Sequence, residues 1–125
     1  MKIISTSQAP RPAGHYSQAV VHNGVVYVAG QLGIDPQDPK APPGSIESQT
    51  EQTLRNIQAI LQAAGSGLPH VLQMTIYVSD IELWGKVNEV YTRVMGDHRP
   101  ARAVVPVKEL HYGYQLEVQA IAALP

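Results

Sequence analysis

The chain has 125 residues, 44% of them hydrophobic and only 15% charged, which excludes disorder and supplies enough apolar material for one domain, residues 1–125, with a core of its own. A net charge of −1 without any Lys/Arg run argues against nucleic acid as a partner, and the lack of cysteine removes disulfides, thiolate catalysis and cysteine zinc sites. No segment approaches the ~20 apolar residues of a membrane span and "MKIISTSQAP" lacks a signal-peptide apolar run, so the expectation is a soluble cytoplasmic protein with no membrane partner.

Met1 to Ile4 reads as an edge strand. Residues 17–29, "SQAVVHNGVVYVA", are two β-branched runs joined by Asn23-Gly24, a dipeptide that tolerates positive φ and predicts a tight hairpin. The following "GQLGIDPQDPKAPPG" carries four prolines and three glycines and is a loop long enough to suggest a functional one. Ser45 can cap a helix with Glu47 in its first turn. Thr50, Leu54, Ile57, Leu61 and Ala64 then recur at helical spacing up to a stop at Gly65.

Residues 71–78, "VLQMTIYV", alternate as a strand, with Leu72, Met74, Ile76 and Val78 on one face and Val71, Gln73, Thr75 and Tyr77 on the other. Asp80 looks like a second N-cap, ahead of a helix whose apolar stripe is Leu83, Val87, Val90, Tyr91 and Val94 and which ends near Gly96. Strands at about 103–107 and 115–123 complete the chain. The order β-β-β-α-β-α-β-β predicts an α+β fold: a mixed six-stranded sheet with two helices packed on one face.

Two helices cover only one side of such a sheet. In the last strand Leu116, Val118, Ala120 and Ala122 share one face, and Glu117, Gln119, Ile121 and Ala123 the other. The second face is too apolar for open exposure and too polar for a dry core, so it predicts a subunit interface with sites in it.

Two residues stand out chemically. Arg102, in "HRPARAVVPV", sits at the mouth of an apolar strand, where its planar fork of donors could grip a small carboxylate; the alternative is a structural ion pair with Asp or Glu. Glu117, in "YQLEVQAIAA", is a carboxylate in mid-strand, a place that needs a partner or a water and suits proton transfer. Its alternatives are pairing with Arg102 or Lys108, or a solvent-facing position. Tyr16, Asn88 and Gly30-Gln31 could add hydrogen bonds, Gly30 by letting backbone approach a ligand. The five histidines lack metal-ligand spacing, so no metal is expected, and there is no GxSxG, P-loop or GxGxxG. Trp84 looks like packing.

In order along the chain, "STSQAPRPAGHYSQAV", "VYVAGQLGIDP", "QTEQTLRNIQAILQAAGSGLPHVLQMTIYVSD", "VNEVYTRVM", and "RPARAVVPVKEL" with "LEVQAIA" resemble the signatures of the RidA (YjgF) family of enamine/imine deaminases. The resemblance implies a chorismate-mutase-like fold, a homotrimer with three clefts between subunits, and cofactor-free hydrolysis of 2-aminoacrylate-type enamines and their imines to 2-keto acids and ammonia. It places the family's carboxylate-binding arginine on Arg102 and its water-handling glutamate on Glu117. Further pocket positions fall on Tyr16, Gly30, Asn88 and Val104.

The chain also departs from the family pattern: His15 replaces a proline, Val104 a cysteine, Ala29 a serine and Gln119 a second glutamate. "LHYGYQ" replaces the frequent Leu-Pro turn, bringing His111, Tyr112 and Tyr114 toward the pocket. An alternative function is a non-enzymatic trimer that senses keto acids through the same Arg102 cleft. RNA cleavage, also attached to the family, lacks a basic stripe with stacking aromatics here.

Overall fold

Asn23 (φ 50°) and Gly24 (φ 76°) both adopt left-handed conformations, the pair that a two-residue hairpin turn requires. They join β2 (Ala19–His22) to β3 (Val25–Gln31) in a computed structural model that describes residues 1–125. β1 (Lys2–Ile4) adds an edge to β2. After the proline-rich loop come α1 (Ile46–Ala63), β4 (Val71–Val78), α2 (Trp84–Met95), β5 (Ala101–Pro106) and β6 (Leu116–Ala123). The six strands form one sheet in the order β1-β2-β3-β6-β4-β5. Only β4 and β5 are parallel, because α2 carries the chain back between them. This is the mixed sheet with two helices that the sequence predicts.

The caps follow the sequence closely. The Ser45 hydroxyl accepts from the Ser48 amide at 3.1 Å and opens α1. Asp80 caps a single helical turn, Ile81–Leu83, which leads into α2, and its carboxylate accepts from the Glu82 amide at 2.9 Å. The core lies between the helices and one sheet face, where Met74, Ile76, Leu116 and Val118 meet Leu54, Ile57 and Leu61 of α1 and Val87 of α2.

Two strand readings are corrected. The β4–β6 register slips between Val71 and Gln73, so Val71 turns into the core and Leu72, expected there, is half exposed on the outside. β5 starts at Ala101, two residues earlier than the sequence suggests, so Arg102 is a strand residue rather than a loop residue ahead of one.

Several polar side chains are buried, and their partners explain them. Gln18 accepts from the Thr6 amide at 2.7 Å and donates to the Thr6 and Pro10 carbonyls at 3.1 and 2.9 Å, tying the N-terminal strap to the sheet. Asn56 donates to the Leu32 and Ile34 carbonyls at 3.1 and 2.8 Å and holds the start of the proline-rich loop against α1. Gln49 donates to the Gly44 carbonyl and accepts from the Gln115 amide, both at 2.9 Å. Each satisfies backbone groups that irregular chain cannot satisfy by itself.

The opposite face of the sheet carries no layer. Tyr27 is 49% exposed there, and the Tyr77 hydroxyl donates to Gln119 Oε1 at 2.7 Å. No helix is long and apolar enough to cross a membrane. Because Asn56 is the anchor of the loop, Asn56→Ala is expected to lower unfolding free energy by about 2 kcal/mol in urea denaturation, with an unchanged m-value.

Candidate functional site

The predicted site residues fall into two groups on opposite faces of the sheet. Arg102 pairs with the core residue Met74 across the β4–β5 ladder, so its side chain leaves on the helix side. There α2 receives it. Trp84, Asn88 and Tyr91 are spaced i, i+4, i+7 and share one helix face. The Arg102 Cζ lies 4.8 Å from the centroid of the Trp84 ring and 4.8 Å from that of Tyr91, and Nη1 donates to Asn88 Oδ1 at 3.0 Å. Two ring faces and one amide thus fix the guanidinium without neutralising it. The one ion pair of the chain is Arg93–Glu51, 2.7 Å, so the structural ion pair considered for Arg102 does not form.

Tyr91 is nearly buried and its hydroxyl has no hydrogen-bond partner. Burial pushes the Tyr91 phenol upward, with the nearby Arg102 charge opposing in part, so the ring faces the cation as a neutral phenol. Trp84 is not packing alone. The signal for it was the 84–88–91 spacing, which becomes informative only once Arg102 is known to leave the strand on the helix side.

The second group lies on the open face. Glu117 alternates with the core residues Leu116 and Val118 and pairs with Tyr77 across β6–β4. Beside it the β3–β6 register shifts between Val28 and Gln31, a bulge that holds Ala29 and Gly30. Gly30 is glycine because a methyl there would run into the Glu117 carboxylate, 3.0 Å from Cδ and closer still to Oε2. Tyr16, Gly30, His111, Tyr112 and Glu117 line a cleft of about 370 Å³. The Ala13 amide donates to the Tyr16 hydroxyl at 3.3 Å, which leaves the phenolic hydrogen free to donate elsewhere. His111 and Tyr112 thus reach the cleft as expected, whereas Tyr114 is buried and lines the adjoining groove.

Tyr16, Gly30 and Glu117 are therefore brought together, as are Arg102 and Asn88, but the two groups do not meet within the chain. Val104 shares the helix-side face with Arg102 and is half-buried against the core. Neither Arg102, Asn88 nor Val104 lines the Glu117 cleft. No group of three or more His, Asp or Glu side chains could hold a metal ion.

Solved structures of the same fold fix the class. The RidA protein of the Antarctic bacterium Psychrobacter sp. PAMC 21119 superposes with a TM-score of 0.93 at 36% identity, covering 98% of this chain and 99% of that one. E. coli TdcF with bound serine superposes with a TM-score of 0.93 at 33% identity, covering 98% of each chain. The protein belongs to the endoribonuclease L-PSP family, the YjgF/RidA family, whose sequence pattern matches residues 6–124. The rat 2-iminobutanoate/2-iminopropanoate deaminase is 41% identical over 121 residues, covering 97% of this chain and 88% of that one.

Two glycines near the cleft should separate local from global effects. A methyl at Gly33 would meet the Gln49 backbone, 2.7 Å from its carbonyl oxygen, which cannot yield. Gly33→Ala is therefore expected to cost about 2–3 kcal/mol in stability. Gly30→Ala meets only the movable end of Glu117 and should cost under about 1 kcal/mol. Denaturant midpoints of the two variants, measured side by side, check the contrast.

Proposed function

We propose that this protein is a cytoplasmic homotrimeric deaminase, one domain per chain, that hydrolyses enamine/imine derivatives of small 2-amino acids to 2-keto acids and ammonia without a cofactor. The observation that carries the reading is the uncompensated guanidinium of Arg102, clasped by Trp84, Tyr91 and Asn88, in a chain 41% identical to a mammalian imine deaminase. A strand-fixed arginine with free donors matches a carboxylate two bonds at a time.

The two half-sites call for a second subunit. The surface around Arg102 and the surface around Glu117 differ, so a contact between them is heterologous, and the closed ring of three that the family resemblance implies satisfies it. In each cleft Arg102 of one subunit, oriented by Asn88 and backed by Val104, holds the substrate carboxylate. Tyr16, Gly30 and Glu117 of the neighbour meet the reacting carbon.

An enamine first takes a proton on its β-carbon and becomes the imine. Water held by Glu117 gives it a proton while adding to the C=N carbon, forming a C–O bond, and Glu117 passes that proton to the nitrogen. The hydroxyl of the resulting carbinolamine then gives its proton through Glu117 to the nitrogen as the C–N bond breaks and C=O forms, and ammonia leaves the keto acid. An imine is already electrophilic, so positioning plus one proton-transfer group, worth roughly 10²–10⁴-fold, is sufficient.

Coupling a serine or threonine dehydratase to ammonia and keto-acid release tests the assignment. Arg102→Ala is expected to lower kcat/KM by about 100-fold, chiefly through KM, whereas Glu117→Gln lowers kcat by roughly 10²–10³-fold with KM nearly unchanged. Trp84→Ala should raise KM several-fold, and Trp84→Phe should restore most of the loss. Equal rates for wild type and Arg102→Ala would show that the site is wrongly placed. Keto-acid binding without turnover would favour a carboxylate sensor.

A further inference from the structure

Residues 110–115 form the turn where the chain departs from the family's frequent Leu-Pro pattern, and the mechanism above uses none of them. Of the five histidines, His111 alone lines the cleft that holds Tyr16, Gly30 and Glu117. Its ring is also uncommitted. His98 Nε2 lies 2.7 Å from the Val71 carbonyl oxygen and is thereby tied to the fold, whereas no protein group hydrogen-bonds to the His111 ring. The His111 side chain is exposed, so it adds little to the core.

The backbone around it is held in an unusual form. Tyr112 takes φ 61° and ψ 22°, a left-handed conformation that a bulky side chain rarely adopts, and Gly113 follows at φ 78°. The Tyr114 amide closes the turn on the His111 carbonyl at 3.2 Å. Tyr114 is buried, and the Gln115 amide donates to Gln49 Oε1 at 2.9 Å, so the turn is anchored to α1 directly after it. The His111 ring leans on that of Tyr112, centroids 5.6 Å apart at 45°. A conformation of this kind persists where its surroundings over-determine it, and such positions cluster at working sites. Here it sets an imidazole, not a core residue, in a fixed place at the cleft wall.

The cleft thus holds two groups that exchange protons readily, the Glu117 carboxylate and the His111 imidazole. The reaction has two separate proton tasks. Water addition at the C=N carbon is one, and Glu117 serves it. The other comes first: an enamine must gain a proton on its β-carbon and lose one from nitrogen before water can add. Both atoms are bonded to the carbon that Glu117 serves, so one imidazole beside it can reach each in turn. Imidazole suits the task because it both gives and takes a proton at neutral pH.

We propose that His111 is the catalytic acid–base of the enamine-to-imine step, so that the protein tautomerises its substrate as well as hydrolysing it. The inference rests on the deaminase reading above and deepens it. The imidazolium of His111 gives its proton to the β-carbon; the enamine π pair forms the new C–H bond and the nitrogen lone pair forms C=N. The neutral imidazole then takes a proton from the iminium nitrogen, which leaves the imine and restores the imidazolium. No proton is gained or lost overall, and the imine stays beside Glu117 for water addition.

Two sources of substrate separate the steps. Serine dehydratase releases 2-aminoacrylate, an enamine, whereas a flavin amino-acid oxidase makes the imine directly from alanine; both end as pyruvate. His111→Gln keeps a polar side chain of similar size that cannot transfer a proton. It is expected to lower kcat/KM for the enamine at least about ten-fold and to leave that for the imine within about two-fold.

An isotope label reads the step in the wild-type protein itself. With threonine dehydratase in deuterium oxide, 2-aminocrotonate takes deuterium at C3 as it becomes the imine. Spontaneous protonation strikes both faces equally, while delivery from a fixed imidazole strikes one. Reduction of the 2-oxobutanoate by L-lactate dehydrogenase makes the two C3 hydrogens distinct in proton NMR. Wild type is expected to place the label predominantly in one C3 position, and His111→Gln to return it to an even split.

Slowing of the imine as much as of the enamine, no slowing of either, or an even split with wild type would each overturn the assignment and leave the deaminase standing. A one-sided label that persists in His111→Gln would overturn it too, since another group would then supply the proton. Should wild type accelerate hydrolysis of neither substrate, the deaminase reading fails. The label still decides the inference in that case, because spontaneous hydrolysis keeps the C3 deuterium. A one-sided split that is lost in His111→Gln then supports it, and an even split ends it.

Discussion

Successive side chains of a β-strand point to opposite faces, and that alternation governs how this protein can bind anything. Arg102 is in register with the core residue Met74, and Glu117 with Tyr77 of the open face. β4 lies between their strands, so about two strand spacings, roughly 10 Å, separate their backbones, and the sheet itself stands between their functional groups. A three-carbon acid cannot bridge that. The cation and the carboxylate are also kept from neutralising each other, as two such groups within reach would do. Each remains available to a ligand.

The rest of the structure maintains this separation. On the helix side the guanidinium would swing freely if only Asn88 held it; the rings of Trp84 and Tyr91 limit it to one orientation while leaving its charge intact. On the open side the bulge at Ala29-Gly30 clears the space that the Glu117 carboxylate occupies. Buried amides finish the arrangement. Gln18, Gln49 and Asn56 replace missing secondary structure in the strap and the proline-rich loop, and so hold irregular chain rigid around the cleft.

Most of the fold was legible because its signals are local. The Asn23-Gly24 turn, the Ser45 cap and the alternation in 115–123 each depend on a few neighbouring residues, and each formed as read. Leu72 was misplaced because a bulge shifts the strand by one residue, and a pattern of period two carries no mark of where it slips. The beginning of β5 was missed because exposed Ala101 and Arg102 carry no apolar signal, and their pairing with β4 is a long-range fact. The candidate residues were readable through family resemblance, but their division between two faces was not. That division depends on strand order, which places β6 and β5 on either side of β4. Trp84 and Tyr91 read as core aromatics, since nothing in the sequence joins them to position 102.

The central claim is that each working cleft takes its arginine from one subunit and its glutamate from another, and subunit mixing tests it most directly. Arg102→Ala and Glu117→Gln proteins are each close to inactive on this view. Co-refolded in equal amounts, they should regain roughly a quarter of the wild-type rate on a dehydratase-generated imine, because one cleft in four unites both intact residues. A mixture no more active than its two parents, with exchange of subunits verified by mass, would contradict it.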